Sequence, residues 1–140
     1  MIQSSGKEEW TFWDFVFFGG SNPIEEWYQS LSEEGMFRFD SLLKTNGKTA
    51  LPNNWVGSKF LRGKPAKYRI WELRFFADGR QYRVLGNFGE GRRQAVLLLG
   101  CYHQGRVYKP TDALEQAVKR AKMLAEKGAT VYERPVEDSI

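Results

Sequence analysis

The stretch IWELRFFADGRQYRVLGNFGEGRRQAVLLLGCYHQ, residues 70–104, decides the fold. From Ile70 onward apolar and polar side chains alternate with period two, the pattern of a half-buried strand. Asp78-Gly79 and Gly89-Glu90-Gly91 carry the turn chemistry that divides the run into three strands, so an antiparallel meander is expected. A two-residue loop at Asp78-Gly79 sets Arg74 opposite Arg83. A similar loop at Glu90-Gly91 sets Leu98 beside Arg83 and Val96 beside Leu85. In that register one face collects Trp71, Leu73, Phe75, Tyr82, Val84, Ala95, Leu97, Leu99 and Cys101, and takes the helices. The other collects Glu72, Arg74, Gln81, Arg83, Asn87, Gln94 and Tyr102 among Phe76, Leu85, Val96 and Leu98; it is mixed, basic and open to solvent.

Two arginines directly opposite one another repel, by a few tenths of a kcal/mol or more, so stability does not favour them there. A bound phosphate removes the conflict. An exposed Arg-Glu-Arg network through Glu72, which lies diagonal to Arg83, removes it equally well without a ligand.

Working outward, Trp10 to Phe18 is aromatic-rich, ends at Gly19-Gly20 and reads as a strand. Asn22, Pro23 and Glu25 form the opening of a helix, with an N-cap, a proline at its first position and a capping-box acid. Ile24, Trp27, Tyr28 and Leu31 give that helix one apolar face. A second helix from about Glu33 to Thr45 buries Met36, Phe39 and Leu43 and stops at Gly47. Residues 47–69 are dense in Gly, Pro and Asn and read as a long loop. A last helix starts at Asp112, buries Leu114, Ala117, Val118, Ala121, Leu124 and Ala125, and ends at Gly128. The expected class is α+β, in the order β-α-α-β-β-β-α: a small twisted antiparallel sheet, meander plus N-terminal strand, packed with a helical hairpin and a C-terminal helix. A single domain over 1–140 is expected, with flexible ends at 1–7 and 129–140.

With 41% hydrophobic and 15% aromatic residues among 140, the chain can bury a core. The longest strongly apolar stretch, Ala95 to Cys101, is about a third of what a membrane-spanning helix needs. The N-terminal residues do not resemble a signal peptide, so no membrane partner is expected and the cytoplasm is the expected compartment. Cys101 is the single cysteine, which excludes an internal disulfide and reads as core. Charge is uneven. Residues 59–109 hold twelve Lys/Arg against three Asp/Glu, whereas residues 1–58 hold four against eight. That asymmetry suits a surface meeting a polyanion.

The segment Tyr102-His103-Gln104-Gly105-Arg106-Val107-Tyr108-Lys109 concentrates chemistry where the third strand leaves the sheet. His103, the only histidine, suits acid or base work near neutral pH. Its strand parity puts it on the apolar face unless the chain bulges after Gly100. Arg106 and Lys109 can hold phosphate, and Tyr102 or Tyr108 can stack on a base or relay a proton. Packing against the last helix is the plainer reading of the tyrosines. No nucleophile elbow, P-loop or zinc-protease motif is present.

Trp71-Glu72-Leu73-Arg74, Gly79-Arg80-Gln81-Tyr82-Arg83-Val84 and Gly91-Arg92-Arg93-Gln94-Ala95-Val96-Leu97-Leu98, together with Asn22-Pro23-Ile24-Glu25-Glu26-Trp27, resemble the phage-derived, HigB-like branch of the RelE/ParE toxin superfamily. The resemblance spans residues 9–127 and implies a ribosome-dependent mRNA endonuclease that needs no metal or cofactor and is neutralised by a cognate antitoxin protein. It implies Arg74 and Arg83 as phosphate-stabilising residues, supported by His103, Arg106, Tyr108 and Lys109. With the residues read above, the candidate set is Arg74, Arg83, His103 and Tyr108 as catalytic and Glu72, Tyr102, Arg106 and Lys109 as substrate-binding. Ile70 and Glu72 stand where the best-known RelE enzymes carry lysines. A non-catalytic, gyrase-directed toxin and a non-toxic phage-derived domain binding nucleic acid or protein share the scaffold and are the alternatives.

Overall fold

The computed structural model describes residues 9–49 and 52–136. Its elements are β1 (Thr11–Phe17), α1 (Pro23–Gln29), α2 (Glu33–Gly47), β2 (Ser58–Phe60), β3 (Trp71–Ala77), β4 (Arg80–Phe88), β5 (Gln94–Gln104), β6 (Val107–Lys109), α3 (Ala113–Ala125) and β7 (Ala129–Arg134). Single 3-10 turns lie at Pro52–Asn54 and Lys64–Tyr68. Among the described residues the class is α+β, with three helices on a mixed seven-stranded sheet ordered β2-β3-β4-β5-β1-β7, and β6 paired to the far end of β5.

The first hairpin forms as its turn chemistry dictates. Asp78 and Gly79 both take positive φ, 55° and 72°, as a type I′ turn requires, and Arg74 pairs with Arg83. The second hairpin departs from expectation twice. Its loop has four residues, Glu90–Arg93, because Gly89 N–H donates to the Gln94 carbonyl at 2.9 Å and Phe88 pairs with Ala95. That shift of two residues preserves which face each side chain meets. The second departure does not: Gly86 pairs with Leu97 while its neighbour Leu85 pairs with Leu99, so Leu98 is an extra, bulged residue. Beyond the bulge Arg83 pairs with Cys101, not Leu98, and Gln81 pairs with His103. Leu99, Cys101 and His103 therefore turn to the arginine face, and Tyr102 turns to the opposite one. The bulge sits before Gly100, not after it.

The sheet is also larger than expected and is not wholly antiparallel. β1 runs parallel to β5, with Phe12 beside Ala95 and Asp14 beside Leu97, and β7 closes its other edge antiparallel. A strand flanked on both edges and covered on both faces reads as a nearly continuous apolar run, which accounts for FWDFVF. β7 occupies part of the tail expected to be flexible from 129; residues 137–140, and residues 1–7 for which flexibility was expected, lie outside the described residues.

Helices cover both faces, where one was expected to stay open. α1 and α2 pack over Phe12, Trp71, Leu73, Val84 and Leu97. Ala113, Ala117 and Ala121 of α3 pack over Phe15, Leu85, Val96, Leu98, Leu99 and Cys101. The long 47–69 connection is pinned by Trp55, which is buried, and by Asn46, whose side chain both donates to and accepts from the Val56 backbone at 3.2 and 2.8 Å. α3 ends on Lys127 in the left-handed conformation, with Gly128 N–H returning to the Met123 carbonyl at 2.7 Å, so the Gly is one residue late for the role assigned to it.

A buried charge cluster holds β7 in place. Arg134 donates twice to Asp14, at 2.8 and 3.0 Å, and once to Glu25 at 2.5 Å; Asn22 donates to the same Asp14 at 2.9 Å. The Arg134 guanidinium also lies 4.9 Å from the Tyr28 ring centroid. Removing one member leaves a charge buried without its partner. Arg134→Ala is expected to lower the unfolding free energy by about 3–5 kcal/mol in urea titrations; an unchanged midpoint would contradict this tie between β1, α1 and β7.

Candidate functional site

The bulge assembles a cluster on the arginine face at the sheet end near the Asp78-Gly79 turn. Successive strands contribute Phe76, Gln81, His103 and Tyr108 to one cross-strand row, since 76 pairs with 81, 81 with 103, and 103 with 108. The next row, one pleat inward, holds Arg74, Arg83 and Cys101. Glu72 lies a further pleat in, on β3.

Glu72 and Arg83 are buried, 4% and 6% exposed, where an exposed surface network was expected. Glu72 Oε2 is 3.5 Å from Arg83 Nε and 4.0 Å from Arg74 Nε, and Glu72 Oε1 accepts a short hydrogen bond from the Tyr108 hydroxyl. Arg83 further donates to the Tyr82 carbonyl at 3.2 Å, to Gln81 Oε1 at 3.3 Å and to His103 Nδ1 at 3.3 Å. Its guanidinium is thus engaged within the protein. Arg74 is exposed and is the guanidinium that faces solvent.

An arginine only donates, so His103 Nδ1 must present its lone pair and the ring proton belongs on Nε2. Nε2 is enclosed and has no hydrogen-bond partner among the described residues, and the Tyr108 ring meets the imidazole edge-on at 4.3 Å. Burial, and then the Arg83 charge, hold the His103 pKa below its ordinary 6.5, against a smaller upward pull from Glu72. Burial and the bond to Glu72 push the Tyr108 hydroxyl upward. Burial raises the Cys101 thiol to about 12, helped by Glu72, so this sulfur is a protonated, inert member of the core.

Of the eight residues singled out from the sequence, five come together: Glu72, Arg74, Arg83, His103 and Tyr108. Three do not join them. Tyr102 lies on the other face, packed with Tyr82 and capped by Arg80 at 4.3 Å, and Lys109, its partner on β6, shares that face. Arg106 sits exposed in the turn between β5 and β6. Gln81 and Phe76 were assigned no role; only their place in the row marks them. Among the described residues no three of His, Cys, Asp and Glu assemble a metal set. A separate cleft of about 800 Å³, lined by Tyr68, Asn87, Phe88, Leu124 and Val131, opens at the other end of the sheet and contains none of these residues.

Comparison with protein-family models, with curated proteins and with solved structures returns no match for this chain. No helix among the described residues is long and apolar enough to cross a membrane.

Because the folded His103 pKa lies below its unfolded value, the stability that rests on a neutral ring is fully present above pH 6.5 and is lost as pH falls below it. In an NMR titration the His103 ring is expected to protonate below 6.5, and Arg83→Met to raise that midpoint. A wild-type midpoint at or above 6.5 would contradict the placement beside Arg83.

Proposed function

We propose that this protein engages single-stranded RNA at the Arg74–His103 end of the sheet and cleaves it, as an mRNA endonuclease acting on the ribosome and held in check by a cognate antitoxin. The observation that carries the chemical part is the bond from Arg83 Nη2 to the lone pair of a neutral His103, beside the solvent-facing Arg74. The toxin role, the RelE-like detail of the fold, the mRNA and antitoxin partners and the cytoplasmic setting rest on the resemblance of residues 9–127.

The geometry supports a substrate-gated base. A phosphate docking on Arg74 competes for the outer N–H groups of Arg83, because a charge-assisted bond to phosphate is stronger than one to neutral imidazole. Nδ1 is then released to accept the proton of the 2′-hydroxyl as that oxygen attacks the adjacent phosphorus. The two arginines carry the charge of the phosphorane, the P–O5′ bond breaks, and the proton held by the imidazolium goes to the departing 5′-oxygen. The products are a 2′,3′-cyclic phosphate and a 5′-hydroxyl. Glu72 and Tyr108 act behind the ring: the carboxylate orients Arg83 and the hydroxyl, and the Tyr108 ring fixes the imidazole plane. An antitoxin segment carrying acidic side chains over the same basic end would occlude it.

One observation favours a second reading, a binder without cleavage: with Nδ1 held by Arg83 and Nε2 enclosed, neither ring nitrogen faces solvent in the free protein. The test is incubation of the purified protein with translating ribosomes and with free RNA, in the presence of EDTA, followed by mapping of RNA ends. Cleavage leaving 2′,3′-cyclic phosphates is expected, reduced about 100-fold or more by His103→Ala and by Arg74→Ala. Arg74→Ala is expected to leave the unfolding midpoint unchanged, since Arg74 is exposed. RNA bound but left intact would establish the binder instead.

A further inference from the structure

We propose that Phe76 is a base-stacking platform, so that a single-stranded RNA lies across the open sheet end with a base on the Phe76 ring and the adjoining phosphate on Arg74. The inference rests on the RNA reading above and assigns a residue which that reading does not use. Phe75 and Phe76 are neighbours on β3, and the pleat sends them to opposite faces. Phe75 stacks on Tyr82 at 5.1 Å and packs, half-buried, on Phe39 and Trp27 against the core. Phe76 is 57% exposed and makes no ring contact among the described residues. An aromatic ring left this exposed on a paired strand does not serve burial.

Its surroundings fit one nucleotide. Arg74 is two residues away on the same strand and face, roughly 6.5–7 Å along β3, and is the exposed arginine of the cluster. Gln81 is directly opposite Phe76 and is itself exposed. Its Oε1 accepts from Arg83, which leaves the amide nitrogen as the group Gln81 can donate to a base edge. The row then continues to His103 and Tyr108. A flat ring, a cation and an amide donor in this order match the way proteins hold unpaired bases, by stacking first and edge contacts second. Stacking on a lone aromatic tolerates any base, so the platform sets position along the strand more than sequence.

The probe is a fluorescein-labelled hexauridine bearing 2′-O-methyl groups, which binds but cannot be cleaved through a 2′-hydroxyl, and a matching oligomer with one abasic position. Fluorescence anisotropy of the full chain is expected to show Phe76→Ala weakening binding of the intact oligomer about tenfold or more, while Phe76→Tyr retains it. Phe76→Ala is expected to bind the abasic and intact oligomers alike, because ring and base remove the same interaction. Arg74→Ala is expected to weaken both oligomers equally and to lower the salt dependence. If Phe76→Ala binds as tightly as wild type while Arg74→Ala does not, the platform is refuted and the RNA reading stands; Phe76 then serves a protein partner or none. If wild type binds neither oligomer, the platform is overturned, and cleavage on translating ribosomes alone decides the RNA reading.

Discussion

One extra residue in β5 governs the rest. Opposite Leu85-Gly86, the chain inserts Leu98 between the pairing positions of Leu97 and Leu99. Gly86 allows this, because the Trp71 ring and the Val96 carbonyl close over it so tightly that a Cβ would come within 2.3 and 2.4 Å of them. On the other side, Leu98 and Leu99 both enter the core under α3. Burying a leucine is worth about 1.5–3 kcal/mol, so a ladder irregularity that sends two of them to one core is sustainable. The consequence lies further along the strand, where every side chain after the bulge changes face and His103 arrives beside Arg83.

Two buried ionic clusters then divide the molecule's work. Asp14, Arg134, Glu25 and Asn22 are joined by short bonds, with Asp14 and Arg134 buried, which suits a fastening between the central strand, the first helix and the last strand. In the second cluster Tyr108 is tied closely to Glu72, but Arg83 is bonded more loosely, with contacts at 3.2–3.5 Å, and one imidazole nitrogen of His103 has no partner among the described residues. Desolvation costs both clusters, but only the second stands at an uncovered sheet end with an exposed arginine and an exposed aromatic ring beside it. A cluster with slack in its bonds can exchange them for those of a substrate.

Much of this was legible in the residues, and the failures have physical causes. Local chemistry carried what it controls: Asp78-Gly79 set the Arg74–Arg83 pairing, and Asn22-Pro23 set the start of α1. Alternation failed in Ala95–Cys101, where both faces are buried and an apolar run carries no record of which residue points where. For that reason Cys101 and His103 were read on one face and Tyr102 on the other, all three reversed. β7 was missed because ATVYER is short and mixed, and its strand character comes from pairing to β1 and from the Asp14–Arg134 bond across 120 residues. Covering of the arginine face by α3 was missed for the same reason: Leu98 and Leu99 share that face only through the bulge. The grouping of Glu72, Arg74 and Arg83 survived because it depends on the first hairpin alone.

The measurement that bears most directly on this account is the set of cross-strand backbone NOEs between β4 and β5. Contacts of Arg83 with Cys101, of Gln81 with His103 and of Gly86 with Leu97 would establish the bulge and the site it builds. Contacts of Arg83 with Leu98 and of Leu85 with Val96 would instead give an unbroken ladder, return His103 to the apolar face and remove the basis for the proposed chemistry.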